Sequence, residues 1–129
     1  MADREIVHTD QAPAAIGPYC QAVKAGTVLY CSGQIPLDPA TGELVGGGDV
    51  AKEAVQVLDN LKAVLEAGGS SLARVLRCEV FLADLGDFAV VNEIYGRYFA
   101  DSPPARITVQ VARLPMDVRV EIAAIAAIG

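Results

Sequence analysis

The stretch from Val118 to Ile128 constrains the fold more than any other part of the chain: apart from Arg119 and Glu121, every residue in it is apolar. A short apolar run of this kind reads as a strand, and one that is apolar on both sides belongs inside a sheet whose two faces are both covered. Thr27 to Gly33 has the same character, with Val28 and Tyr30 on one side and Leu29 and Cys31 on the other. Arg4 to His8, Tyr19 to Lys24, Arg74 to Ala83 and Arg106 to Ala112 complete a set of six expected strands.

Two segments carry helical periodicity instead. From Asp49 to Ala67 the apolar positions Val50, Ala54, Val57, Leu58, Leu61, Val64 and Leu65 form one stripe, with Lys52, Glu53, Gln56, Asn60 and Lys62 elsewhere. Asp49 is placed to cap its start, and Gly68-Gly69 to end it in the left-handed conformation. A second helix, from Asp84 or Asp87 to Ala100, buries Phe88, Val91, Ile94 or Tyr95, Tyr98 and Phe99, and stops at Asp101-Ser102-Pro103-Pro104. The order predicts an α+β fold over a single domain, residues 1–129: a six-stranded mixed sheet with both helices on one face. Helix-connected strands should run parallel. Lys24 to Thr27 and Leu114 to Asp117 should each join an antiparallel hairpin. Two helices cover only one face, so the other is expected to be buried against further copies of the chain.

Charge narrows the partners. The net charge of −6, with no cluster of lysine or arginine, disfavours nucleic acid. The longest uninterrupted apolar run, Ile122 to Ile128, is about a third of the roughly 20 residues that span a bilayer. Met1 to Glu5 lacks the basic and apolar regions of a signal peptide, so the chain is expected to be cytoplasmic. Cys20, Cys31 and Cys78 fit no metal or redox spacing and read as reduced core thiols. His8 is the only histidine, too few for a histidine metal cluster or a cysteine–histidine nucleophile. Gly46-Gly47-Gly48 lacks the lysine and hydroxyl of a phosphate loop and reads as a flexible loop.

A few residues remain that could carry chemistry. In the strand from Arg106, alternation puts Arg106, Thr108, Gln110 and Ala112 on one face and Ile107, Val109 and Val111 on the other. The guanidinium of Arg106 is a planar fork suited to a carboxylate; the alternative is that it pairs with a nearby acid or caps the preceding helix. Glu121, alone among apolar neighbours, is a candidate general base, or one half of a structural ion pair with Arg119. Tyr19 follows the rigid Gly17-Pro18 turn, and Ser32-Gly33-Gln34 ends its strand where a ligand could approach the backbone closely.

Five separated motifs then agree in order and spacing. Ala12 to Tyr19, Ser32-Gly33-Gln34-Ile35-Pro36, Asn92-Glu93-Ile94-Tyr95, Pro104-Ala105-Arg106, and Val111 to Pro115 followed by Val120-Glu121-Ile122 resemble the RidA (YjgF/YER057c/UK114) family. The resemblance implies a chorismate-mutase-like fold assembled as a homotrimer, with sites in the clefts between subunits. It implies a 2-iminobutanoate/2-iminopropanoate deaminase, needing neither cofactor nor metal. Such an enzyme hydrolyses reactive enamines and imines released by pyridoxal-phosphate enzymes to 2-keto acids and ammonia. Arg106 would clamp the substrate carboxylate and Glu121 would activate water. Tyr19, Ser32 and Gly33 would line the site, and Asn92 and Thr108 match further positions. Thr108 stands where some members have cysteine, so thiol-based regulation does not carry over. An endoribonuclease or translation inhibitor, and a non-catalytic sensor of small keto acids, are the competing readings.

Overall fold

The computed structural model describes residues 3–129; Met1 and Ala2, part of the stretch inspected for a signal peptide, lie outside them. In chain order the elements are β1 (Arg4–Val7), β2 (Ala22–Ala25), β3 (Val28–Gln34), α1 (Val50–Ala67), β4 (Val75–Leu82), α2 (Phe88–Phe99), β5 (Ala105–Gln110) and β6 (Val120–Ala127). They form one six-stranded mixed sheet in the order β1-β2-β3-β6-β4-β5, with α1 and α2 packed on one face. Among the described residues the only parallel neighbours are β4 and β5, the pair joined by α2.

Two expectations need correction. The connector Leu114 to Asp117 does not make a hairpin: β6 passes over to lie between β3 and β4, antiparallel to both, and leaves β5 on the edge. Burial decides this. The most apolar strand takes the centre, where Val120, Ile122 and Ala126 are fully covered, while most of β5 stays exposed. The second strand starts at Ala22 rather than Tyr19, because the Gly17-Pro18 segment folds into a tight turn closed by Tyr19 N–H donating to the Gly17 carbonyl at 2.8 Å.

The core lies between the sheet and the helices. Leu29, Cys78, Val80, Leu82, Val120 and Ile122 meet Val57, Leu58, Leu61, Val64 and Leu65 of α1 and Val91, Ile94, Tyr95 and Phe99 of α2. Asp49 caps α1 by accepting from the Ala51 and Lys52 amides at 3.0 and 3.3 Å. At the other end Gly69 adopts φ +82°, while Gly68 leaves room for Leu29, whose methyl carbon a Cβ would approach to 2.5 Å.

Two polar residues assigned to the solvent side of α1 are buried instead. Glu53, 4% exposed, accepts the Arg119 amide at 2.8 Å. Asn60, 1% exposed, donates to the carbonyls of Ile35 and Leu37 at 3.2 and 2.9 Å and accepts from Gln56 at 2.8 Å. Helix α1 thereby holds both the loop after β3 and the entry to β6.

The opposite face of the sheet carries Tyr30, Phe81, Ile107, Val109, Ala123 and Ile125, and no element among the described residues covers it. Tyr30 is 50% and Ile107 45% exposed. No helix among the described residues is long and apolar enough to cross a membrane. Replacing Asn60 with Leu strands two buried carbonyls and should lower the unfolding free energy by about 2 kcal/mol, read from the urea midpoint at unchanged slope.

Candidate functional site

One group of candidate residues assembles on the uncovered face. Between Cys31 and Gln34 the ladder to β6 loses register, so β3 carries one residue more than its partner there. Such a bulge bends a strand and re-aims its side chains. Here it brings Ser32 and Gly33 beside Glu121, in a cleft of about 390 Å³ also lined by Ile16, Tyr19, Ile35 and Pro115. Ser32 Oγ donates to the Cys20 carbonyl at 2.6 Å, tying β3 to the segment that carries Tyr19. The Tyr19 hydroxyl accepts from the Ile16 amide at 3.4 Å and the residue is 52% exposed, with its ring on the cleft wall.

Glu121 lies directly over Gly33. A Cβ on Gly33 would overlap Oε2 of the glutamate, so the glycine is required for space and not for an unusual φ. Burial raises the Glu121 carboxyl above the ordinary glutamate value. The ion pair with Arg119 does not form: Arg119 binds Asp87 at 2.7 and 3.0 Å.

The second group lies on the other face. Arg106 pairs in register with Cys78, Thr108 with Val80 and Gln110 with Leu82, so all three point toward the helices. Arg106 Nη1 donates to Asn92 Oδ1 at 2.7 Å. Its guanidinium carbon lies 5.4 Å from the Phe88 ring centroid and 4.9 Å from that of Tyr95. No carboxylate pairs with it among the described residues, and the side chain is exposed at the edge strand. Thr108 Oγ1 is buried without a hydrogen-bond partner among the described residues.

The expected constellation is therefore split within one chain. Glu121 pairs with Phe81 on the uncovered face, and Arg106 projects from the other, with β4 between their strands. Tyr19, Ser32, Gly33 and Glu121 come together; so do Arg106, Asn92 and Thr108. Sequence reasoning missed Ile16, Ile35 and Pro115 as cleft walls, and Phe88 and Tyr95 as the surface beneath Arg106. The positions 88, 92 and 95 carried a usable signal, because that spacing aligns them on one side of a helix.

A family model described as endoribonuclease L-PSP matches residues 9–128. The chain belongs to the RidA (YjgF/YER057c/UK114) family. It is similar to the protein DfrA of Myxococcus xanthus, at 61% identity over 95% of each chain. A mouse relative named 2-iminobutanoate/2-iminopropanoate deaminase is 52% identical over 98% of this chain and 93% of its own. The crystal structure of E. coli TdcF with bound serine superposes with a TM-score of 0.90 at 45% identity, covering 97% of this chain and 99% of that one. The sheet order and paired helices are thus those of a RidA-like fold.

Gly33→Ala should push the Glu121 carboxylate out of the cleft. Only the end of a flexible side chain has to move, so stability should change by less than about 1 kcal/mol while the carboxyl titrates closer to an ordinary glutamate, read by NMR.

Proposed function

We propose that the chain is a homotrimeric deaminase of small 2-imino acids, whose site forms where the Arg106 edge of one protomer meets the Glu121 cleft of the next. The observation that carries this reading is the division itself. A guanidinium without an acid partner lies at an edge strand, and a desolvated carboxylate lies in a cleft on an uncovered apolar face. Each group lacks what the other supplies, and packing copies through that face covers its apolar side chains as well. The name of the mouse relative and the serine bound to TdcF, a small molecule with a carboxylate and an amine, support the same substrate class.

The reaction follows from the groups available. Arg106 takes the substrate carboxylate on its fork and turns the imine carbon toward the cleft. Glu121, deprotonated, accepts a proton from water as the oxygen bonds to that carbon, and the C=N pair moves onto nitrogen. The protonated carboxyl then returns its proton to the amine. The carboxylate then takes the hydroxyl proton of this carbinolamine and passes it to the amino group as the C–N bond breaks, so that ammonia leaves and the carbonyl of a 2-keto acid forms. An enamine substrate first tautomerises to the imine, gaining a proton on its β-carbon and losing one from nitrogen. The imine carbon is already electrophilic, so positioned water and one proton carrier suffice. Ser32 and Tyr19 line the water side of the cleft, Asn92 orients Arg106, and Thr108 lies next to it on β5. Ile16, Ile35 and Pro115 leave an apolar wall for a short alkyl side chain.

The endoribonuclease named in the family model has weaker support. The chain carries a net charge of −6 and one histidine, and that histidine, exposed near the N-terminus, pairs with Asp10.

A threonine dehydratase coupled to the purified protein should show accelerated loss of the imine. Arg106→Ala should raise KM by about a hundredfold, and Glu121→Gln should lower kcat by about 10² or more. No acceleration over buffer, or full activity in Arg106→Ala, would reject the proposal. Because the base works deprotonated and burial raises its pKa, activity should fall as pH drops through a value above the ordinary glutamate range, and Glu121→Gln should remove that limb.

A further inference from the structure

Arg106 is held by more than its hydrogen bond to Asn92. Phe88, Asn92, Tyr95 and Phe99 follow one another along α2 at spacings of four, three and four residues, which puts them on a single side of the helix. The guanidinium rests on this stripe within cation–π distance of two rings, 5.4 Å from Phe88 and 4.9 Å from Tyr95. The two rings differ in rigidity. Phe88 is 37% exposed, whereas Tyr95 is 6% exposed and backed by Phe99 at a centroid distance of 4.6 Å. The phenol oxygen of Tyr95 is buried beside the Cys78 thiol, and it is the ring and not the hydroxyl that meets Arg106.

An arginine side chain has considerable rotamer freedom to lose when it grips a ligand, and prior fixation reduces that cost. A ring face fixes the plane of the guanidinium without using any of its N–H donors, and Asn92 uses only one. The rest stay available to a carboxylate. We infer that Tyr95 is a positioning residue: its ring, seated on Phe99, sets the plane in which Arg106 offers its donors to the substrate carboxylate. This rests on Arg106 acting as the carboxylate clamp.

The test compares Tyr95→Phe, Tyr95→Leu and the wild type, with Leu61→Ala as a control that removes buried volume from α1 instead. Two readouts separate the inference from the reading beneath it. The first is the ring-current shift of the Arg106 δ protons in NMR spectra of the ligand-free protein. Tyr95→Phe should keep it and Tyr95→Leu should lose most of it. The second is titration with 2-oxobutanoate together with steady-state imine turnover. Tyr95→Leu should weaken binding and raise KM by about tenfold with kcat changed less, while Tyr95→Phe stays within about twofold of wild type. Leu61→Ala should lower Tm and leave Kd and KM alone. An unchanged shift in Tyr95→Leu, equal losses in the Phe and Leu variants, or a KM rise in Leu61→Ala matching that of Tyr95→Leu would overturn the inference. If the shifts behave as expected but the wild type neither binds the keto acid nor turns over imine, the seating of Arg106 stands and its role as a carboxylate clamp fails.

Discussion

The insertion of β6 between β3 and β4 is the constraint on which the rest of this molecule depends. A strand with no polar face has to be flanked by partners on both edges and packed on at least one side, and only the middle of the sheet provides that. Once it is there, the alternation of its side chains sets the chemistry. Val120, Ile122, Ala124 and Ala126 go into the core under the helices, and Glu121 is left on the other side among half-buried apolar neighbours. The same insertion displaces β5 to the rim, where Arg106 is reachable from outside.

The two helices do different work. Helix α1 anchors the cleft side, because Asn60 holds the Ile35 loop and Glu53 holds the amide of Arg119 just ahead of β6. Helix α2 anchors the arginine side, through Asn92 and the aromatic stripe. Contacts made by individual side chains of the two helices therefore hold both candidate groups, although they occupy opposite faces. The tight turn at Pro115 to Asp117 adds to this. Met116 and Asp117 both sit at φ 57°, a left-handed conformation uncommon for such residues, and Asp117 is bound by Arg113 through two hydrogen bonds while Pro115 forms a wall of the cleft.

Much of this was legible in the residues alone, for reasons of period. Two-residue alternation in Arg106 to Ala112 put Arg106, Thr108 and Gln110 on one face, and the register with β4 agrees. The stripe on α1 and its Asp49 cap were equally direct. What failed was polarity taken as a sign of exposure: Glu53 and Asn60 are polar because they satisfy backbone groups inside the protein. Strand order failed as well, since a short connector such as Leu114 to Asp117 suggests a hairpin, whereas neighbourhood in the sheet is decided by how much apolar surface each strand must hide. That Arg106 and Glu121 face opposite ways could not be read either, because it depends on which strand lies between them.

The extra residue in β3 has one more consequence. Strand parity switches across Ser32-Gly33, so that Cys31 and Gln34 both point into the interior although they are three positions apart, a step that regular alternation would place on opposite faces. Shortening this segment by a single position would restore an unbroken ladder to β6 and at the same time remove the concavity opposite the glutamate. A deletion at this point would yield a better-formed sheet that lacks the cleft between Ser32, Gly33 and Glu121.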